Sequence, residues 1–160
     1  MLYNSDNFFA EQTLLMVSNE RLGKMNDEAI IDTLLKNDLK DVPQRPKWVD
    51  GCGLSRYNLF SPADFVYILT RMKNEFGLQR LKTILPTANE GTLKSYYQQD
   101  SSFIYAKTGS MNGIFCISGY LLTKKNKQLE FSIMANDFQG NPIDVRRSIE
   151  QFLERIREKD

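Results

Sequence analysis

The sequence predicts an α+β fold in which helices come first, a three-stranded antiparallel meander follows and one helix closes the chain. Three observations carry this. Apolar residues recur at helical spacing in the first half, most clearly at Phe65, Leu69, Met72 and Phe76. After Ser101 the composition turns aromatic and β-branched, in runs separated by a turn. From Asn141-Pro142 onward the helical period returns. At 160 residues and 41% hydrophobic, the chain is one domain's worth and can fill a core.

In chain order, Phe8 to Asn19 reads as a helix apolar on more than one side (Phe8, Phe9, Leu14, Leu15, Met16, Val17), and so as a buried one. Asn26 and Asp27 can cap a second helix with Ile30, Ile31, Leu34 and Leu35 on one face. Asp41 to Phe60 is punctuated by Pro43, Pro46, Gly51 and Gly53 and reads as loop, with room for a short strand at Lys47–Val49. Ser61-Pro62 starts a helix, because serine caps the free N–H groups and proline needs no partner for the N–H it lacks. Gly77 interrupts it, Leu78–Leu85 forms another short helix, and Thr87 to Asp100 is polar loop. Phe103–Lys107, Ile114–Thr123 and Leu129–Asn136 are the three strands, with a turn at Lys124–Lys127. The closing helix carries one apolar stripe, Ile149, Phe152, Leu153 and Ile156.

Composition removes several classes of function. Lys+Arg is 21 against Asp+Glu 20, so there is no basic field to hold nucleic acid or anionic lipid. Histidine is absent, which excludes Ser-His-Asp and Cys-His catalysis and zincin helices from this chain. Cys52 and Cys116 have no metal-ligand spacing and read as packing residues, so no metal and no cofactor is expected. No apolar run approaches the ~18 residues of a membrane span, and no signal peptide opens the chain.

Two tripeptides stand out: Ser5-Asp6-Asn7 just ahead of a helix and Lys107-Thr108-Gly109 at the end of a strand. Average usage gives each roughly 0.03–0.04 chance occurrences in such a chain, and both together roughly one in a thousand. Read alone, the first could be only a helix cap and the second only a strand end before a turn. Arg56 could be an ordinary loop-pinning arginine, and Tyr96-Tyr97 reads as packing rather than a ligand platform.

Ser-Asp-Asn and Lys-Thr-Gly accompany Ser-x-x-Lys in class A β-lactamases and penicillin-binding proteins. Ser5–Gln12 (Ser-Asp-Asn-Phe-Phe-Ala-Glu-Gln), Asp50–Asn58 (Asp-Gly-Cys-Gly-Leu-Ser-Arg-Tyr-Asn) and Lys107–Met111 (Lys-Thr-Gly-Ser-Met) occur here in that order. Together they resemble the class C, penicillin-binding protein 4 type of D-alanyl-D-alanine carboxypeptidase/endopeptidase, over nearly the whole chain. The resemblance implies part of a serine β-lactamase/penicillin-binding-protein-like transpeptidase fold. It implies peptidoglycan stem peptides and β-lactams as partners, an acyl-serine intermediate, and a periplasmic or other extracytoplasmic location. Ser5, Asn7 and Lys107 would be catalytic: Ser5 relaying a proton, Asn7 holding substrate and the catalytic lysine, and Lys107 placing a cation beside the substrate's terminal carboxylate. Thr108, Gly109, Ser110 and Met111 would line the cleft, with the Ser110 N–H as an oxyanion donor and Gly109 leaving room for an extended peptide. Arg56 would lie near the side-chain pocket.

The departures from the family pattern are as informative. No lysine in the chain has a serine three residues before it. Thr33…Lys36 and Thr70…Lys73 have the spacing but sit in amphipathic helices. The family's nucleophile motif therefore belongs upstream, and residues 1–160 read as the C-terminal portion of one D,D-peptidase domain, inactive alone. Missing partner strands would leave Leu129–Asn136 with an open edge, prone to pair with another chain. The alternative is a non-catalytic binding or interaction module that keeps the cleft motifs. Cys52 stands where these relatives usually carry serine.

Overall fold

The computed structural model describes residues 1–97 and 102–159. Its elements run α1 (Asn7–Leu22), α2 (Asp27–Lys36), α3 (Pro62–Phe76), α4 (Leu78–Ile84), a single 3-10 turn (Gly91–Leu93), β1 (Ile104–Met111), β2 (Ile114–Leu122), β3 (Gln128–Asn136) and α5 (Pro142–Lys159). The end of the expected polar loop, at 98–100, lies outside the described residues.

Except at α4, which follows Gly77, the helices start where side-chain oxygens can take free backbone N–H groups. Asp6 accepts from the Phe9 N–H, Asn26 from Ala29, and Asn141 from Ile143. Ser61 and Asp64 form a reciprocal capping box ahead of Pro62. Asp64 is fully buried and also accepts from the Gln44 N–H at 2.9 Å, so one carboxylate fastens the 41–60 loop to α3. Within that loop Lys47 and Leu59 form an isolated antiparallel bridge, the remnant of the short strand expected there.

The sheet is an antiparallel meander in the order β1-β2-β3. Alternation gives it two packed faces. Ile104 and Ala106 of β1 and Phe115, Ile117 and Leu121 of β2 meet Ile149 and Leu153 of α5. On the opposite face Tyr120 packs with Leu69 of α3 and with Leu81 and Leu85, and its hydroxyl donates to the Leu69 carbonyl at 2.8 Å. A third cluster joins Leu14 of α1 to Ile30, Ile31 and Leu35 of α2, with Trp48 against it.

Three expectations need correcting. β1 does not end at Lys107 but runs to Met111, because Asn112-Gly113 closes a two-residue hairpin and β2 holds Thr108–Met111 in register opposite Ile114–Ile117. α1 is not buried all round: Phe8, Phe9 and Met16 are 69%, 59% and 55% exposed, since α1 packs only through its Leu14 and Ser18 side. On α5, Phe152 points away from the stripe formed by Ile149 and Leu153 and is exposed. The outer edge of β3 has no partner strand among the described residues.

Candidate active site

The site forms where the loop ahead of α1 meets the outer edge of β1. The chain turns back on itself before the helix, with the Asp6 N–H donating to the Met1 carbonyl at 3.1 Å. This leaves Ser5 in the left-handed region, φ 55°. A side chain there is strained, and such strain collects where a group must be aimed. Ser5 is aimed at Lys107, whose ammonium donates to the Ser5 Oγ at 2.8 Å and also to the Thr108 carbonyl.

Residues far apart in sequence are thus in direct contact and half-buried, and Ser5 of the pair lines a cleft. Burial pushes the Lys107 pKa below its ordinary 10.5, because desolvation penalises the charged form. A lysine in that condition gives up its proton more readily than an exposed one. Because its ammonium donates to Ser5, the Ser5 hydroxyl keeps its own hydrogen free for another acceptor.

Backbone parity sets the rest of the wall. The Ala106 N–H leaves the outer edge of β1 for the Pro86 carbonyl, and the Ile104 carbonyl on the same edge accepts from the Thr87 hydroxyl. By the alternation of an antiparallel strand, the Thr108 and Ser110 N–H and C=O groups face that edge too, beyond the point where residues 86–87 cover it. Gly109 lies between them, and a Cβ built on it would meet nothing within 4 Å. The edge from Thr108 to Ser110 is therefore open to an extended ligand.

The cleft beside this edge has a volume of about 310 Å³ and is lined by Ser5, Thr92, Tyr96, Thr108, Ser110 and Arg146, among others. Its far wall is the 3-10 turn and the following tyrosines, held by α5: the Tyr97 N–H donates to the Glu150 carboxylate, and Glu150 also accepts from Arg147 at 2.6 Å. Tyr97 is buried against Phe103, which agrees with its reading as a packing residue, but both tyrosines also line the cleft.

The remaining sequence candidates stand differently. Asn7 is the first residue of α1 and exposed; it does not line the cleft, and its amide makes no hydrogen bond among the described residues. Met111 is the last residue of β1, on the Lys107 side of the sheet. Arg56 reaches the hairpin tip, donating to the Asn112 carbonyl at 2.8 Å. The loop that carries it is fixed to α1, since one Glu11 oxygen accepts from the Gly51 and Cys52 N–H groups at 2.9 Å each. Gly51 permits this approach, because a Cβ there would lie 2.9 Å from the Leu14 Cβ. Both cysteines are free. Thr33 and Thr70 spend their hydroxyls on the carbonyls of Ala29 and Val66 in their own helices.

Thr92 and Arg146 were not singled out from the sequence, and Tyr96 was read as packing, since a polar loop and a charged helix face look alike whether or not they border a cleft.

The family model for D-Ala-D-Ala carboxypeptidase 3 (S13) matches residues 1–156. The chain belongs to that family. It is 30% identical over 115 residues to penicillin-sensitive carboxypeptidase A of Dictyostelium discoideum, covering 66% of this chain and 22% of that protein. To D-alanyl-D-alanine carboxypeptidase DacB of Haemophilus influenzae it is 27% identical over 102 residues, 61% of this chain and 21% of the relative. Penicillin-binding protein 4 (dacB) of Haemophilus influenzae, solved in complex with a β-lactam, superposes with a TM-score of 0.81 at 21% identity, over 98% of this chain and 39% of that one. The fold of this S13 family member is therefore a part of the penicillin-binding-protein fold, and the chain spans about a fifth of the length of these two curated relatives.

The strain at Ser5 has a measurable consequence. Ser5→Ala and Ser5→Gly both remove the hydroxyl, but only glycine accepts φ 55° freely. Relief of about 1–2 kcal/mol, less glycine's entropy cost of about 0.5–1, should leave Ser5→Gly the more stable by ~0.75 kcal/mol at the midpoints of these ranges in chemical denaturation. Equal stability would mean that the left-handed turn is not kept in solution.

Proposed function

We propose that these 160 residues are the C-terminal portion of a serine D,D-peptidase domain that cleaves D-alanyl-D-alanine termini, and D-amino-acid cross-links, of peptidoglycan stem peptides through an acyl-serine intermediate. The single observation that carries this is the 2.8 Å contact between Lys107 and Ser5, two groups 102 residues apart in sequence. On this reading the attacking serine and its lysine come from a Ser-x-x-Lys segment upstream, and Ser5, Asn7 and Lys107 complete the catalytic group. Ser5, activated by Lys107, passes the nucleophile's proton to the leaving amine. The outward Ser110 N–H is one oxyanion donor, worth about 2.7–4 kcal/mol in comparable sites. Thr108 and Ser110 receive the substrate's carboxylate end beside the Lys107 charge. Gly109 leaves the peptide room, and Met111 and Arg56 border its side-chain pocket. Asn7 would turn toward the upstream lysine and the substrate carbonyl once both are present.

The exposed Phe8, Phe9 and Met16 on α1 and the open outer edge of β3 support the view that more of the same domain packs here. Alone, the 160 residues have no Ser-x-x-Lys and should be inactive. The whole protein would work outside the cytoplasm, where stem peptides are; no helix among the described residues is long and apolar enough to cross a membrane.

Labelled penicillin tests the reading. The protein isolated from its own cells should become covalently labelled at a serine upstream of Ser5, and residues 1–160 produced alone should stay unlabelled. Labelling of the isolated 160 residues would contradict an upstream nucleophile. Failure of the native protein to label would favour a non-catalytic binding module.

A further inference from the structure

Arg146 sits in the second turn of α5 and sends its guanidinium into the cleft. One Nη donates to the Ser110 Oγ at 3.0 Å, and the group lies over the Phe115 ring, 5.0 Å from its centroid. Its Nε is buried and has no hydrogen-bond partner among the described residues. No carboxylate pairs with it among the described residues, whereas Arg147 next to it is neutralised by Glu150. A guanidinium presents five N–H groups in a planar fork that matches a carboxylate, and it stays charged at any working pH. A half-buried cation with no counter-ion among the described residues, its Nη groups beside Ser110 and the cleft that Ser110 and Thr108 line, is arranged to receive an anion from outside. Lys107 is less free to do so, because two of its N–H directions are spent on Ser5 and the Thr108 carbonyl.

We infer that Arg146 is a specificity-determining residue which, with the Ser110 hydroxyl, grips the free carboxylate at the C-terminal end of the bound peptide. The inference rests on the D,D-peptidase reading of the same cleft. It divides the cationic work: Lys107 serves the proton path at Ser5, and Arg146 reads the charge of the peptide's last residue. Phe115 holds the guanidinium in plane, and the bond to Ser110 aligns the hydroxyl that shares the carboxylate.

The test uses the native full-length protein and two forms of one peptide ending in D-Ala-D-Ala, the free acid and the C-terminal amide. Arg146→Gln should lower the ratio of acid to amide kcat/KM by about 30–100-fold, chiefly through the KM of the acid, and Arg146→Lys should restore part of it. Because both peptides are read on one preparation, partial misfolding cancels from the ratio. An unchanged ratio, with both peptides slowed alike or neither slowed, would overturn the proposal by reducing Arg146 to a packing role. A wild-type protein that is not acylated by penicillin and hydrolyses neither peptide would sink the D,D-peptidase reading itself, and this inference with it.

Discussion

In the full-length protein, Lys107→Ala should slow acylation by labelled penicillin by about 10²–10³-fold. The ammonium stands beside the Ser5 hydroxyl and the open edge of β1, so on the proposed reading its loss removes a charge-assisted contact from the proton path. The effect should carry a pH signature. Burial holds the Lys107 pKa below 10.5, so on raising the pH its cation is lost sooner than that of an exposed lysine. Rates that need the cation should fall on an alkaline limb centred below pH 10.5. Lys107→Arg, slower but permanently charged, should lack that limb. A limb that persists in the arginine variant would assign the titration to another group, and a loss under about threefold in the alanine variant would remove Lys107 from the chemistry.

Gly119→Ala should produce the largest loss of stability. A Cβ at Gly119 would lie 2.2 Å from the Tyr105 carbonyl oxygen and 2.6 Å from the Ala106 Cα and Cβ, where β1 and β2 pair across Ala106 and Gly119. The obstacle is backbone, which cannot swing aside as a side chain can. Separating the strands should cost about 3 kcal/mol, a fall in Tm of about 6–12 °C for a chain of this size. Gly109 is the control. Its added Cβ meets nothing, so Gly109→Ala should not lower Tm, and only its intrusion on the ligand edge should register, as slower acylation. Calorimetry or denaturant unfolding of the pair checks this. If both variants melt like the parent, β1 and β2 are not as closely paired as described.

Most of the fold was legible because its boundaries are set by local chemistry. Ser61-Pro62 with Asp64 starts α3, Asn26 starts α2, and the β-branched runs become β2 and β3 nearly as read. The misreading at β1 has a physical cause. Thr108, Gly109 and Ser110 are turn-prone residues, yet pairing to β2 keeps them extended; the Asn112-Gly113 dipeptide was the signal that the hairpin turned later. The apolar residues of α1 promised burial, but periodicity cannot say which partner covers a face, and nothing among the described residues covers Phe8 and Phe9.

The site was legible in part. Ser5 and Lys107 could be paired because motif residues carry chemistry that few other combinations supply in a chain without histidine. Asn7 shows what such a reading leaves out, since it is exposed and is not among the residues that line the cleft. Arg146 was invisible for the opposite reason. An arginine on a charged helix gives no sign of its target until α5 is laid across the sheet and the guanidinium arrives at Ser110.

The most direct measurement is a crystal structure of the full-length protein acylated by a penicillin. The drug's carbonyl oxygen should accept from the Ser110 N–H, its carboxylate should lie between the Thr108 and Ser110 hydroxyls and the Arg146 guanidinium, and Ser5 should still touch Lys107 beside the acylated serine. A ligand bound away from the β1 edge, or a Ser5–Lys107 pair with no contact to the acyl group, would contradict the assignment of this cleft.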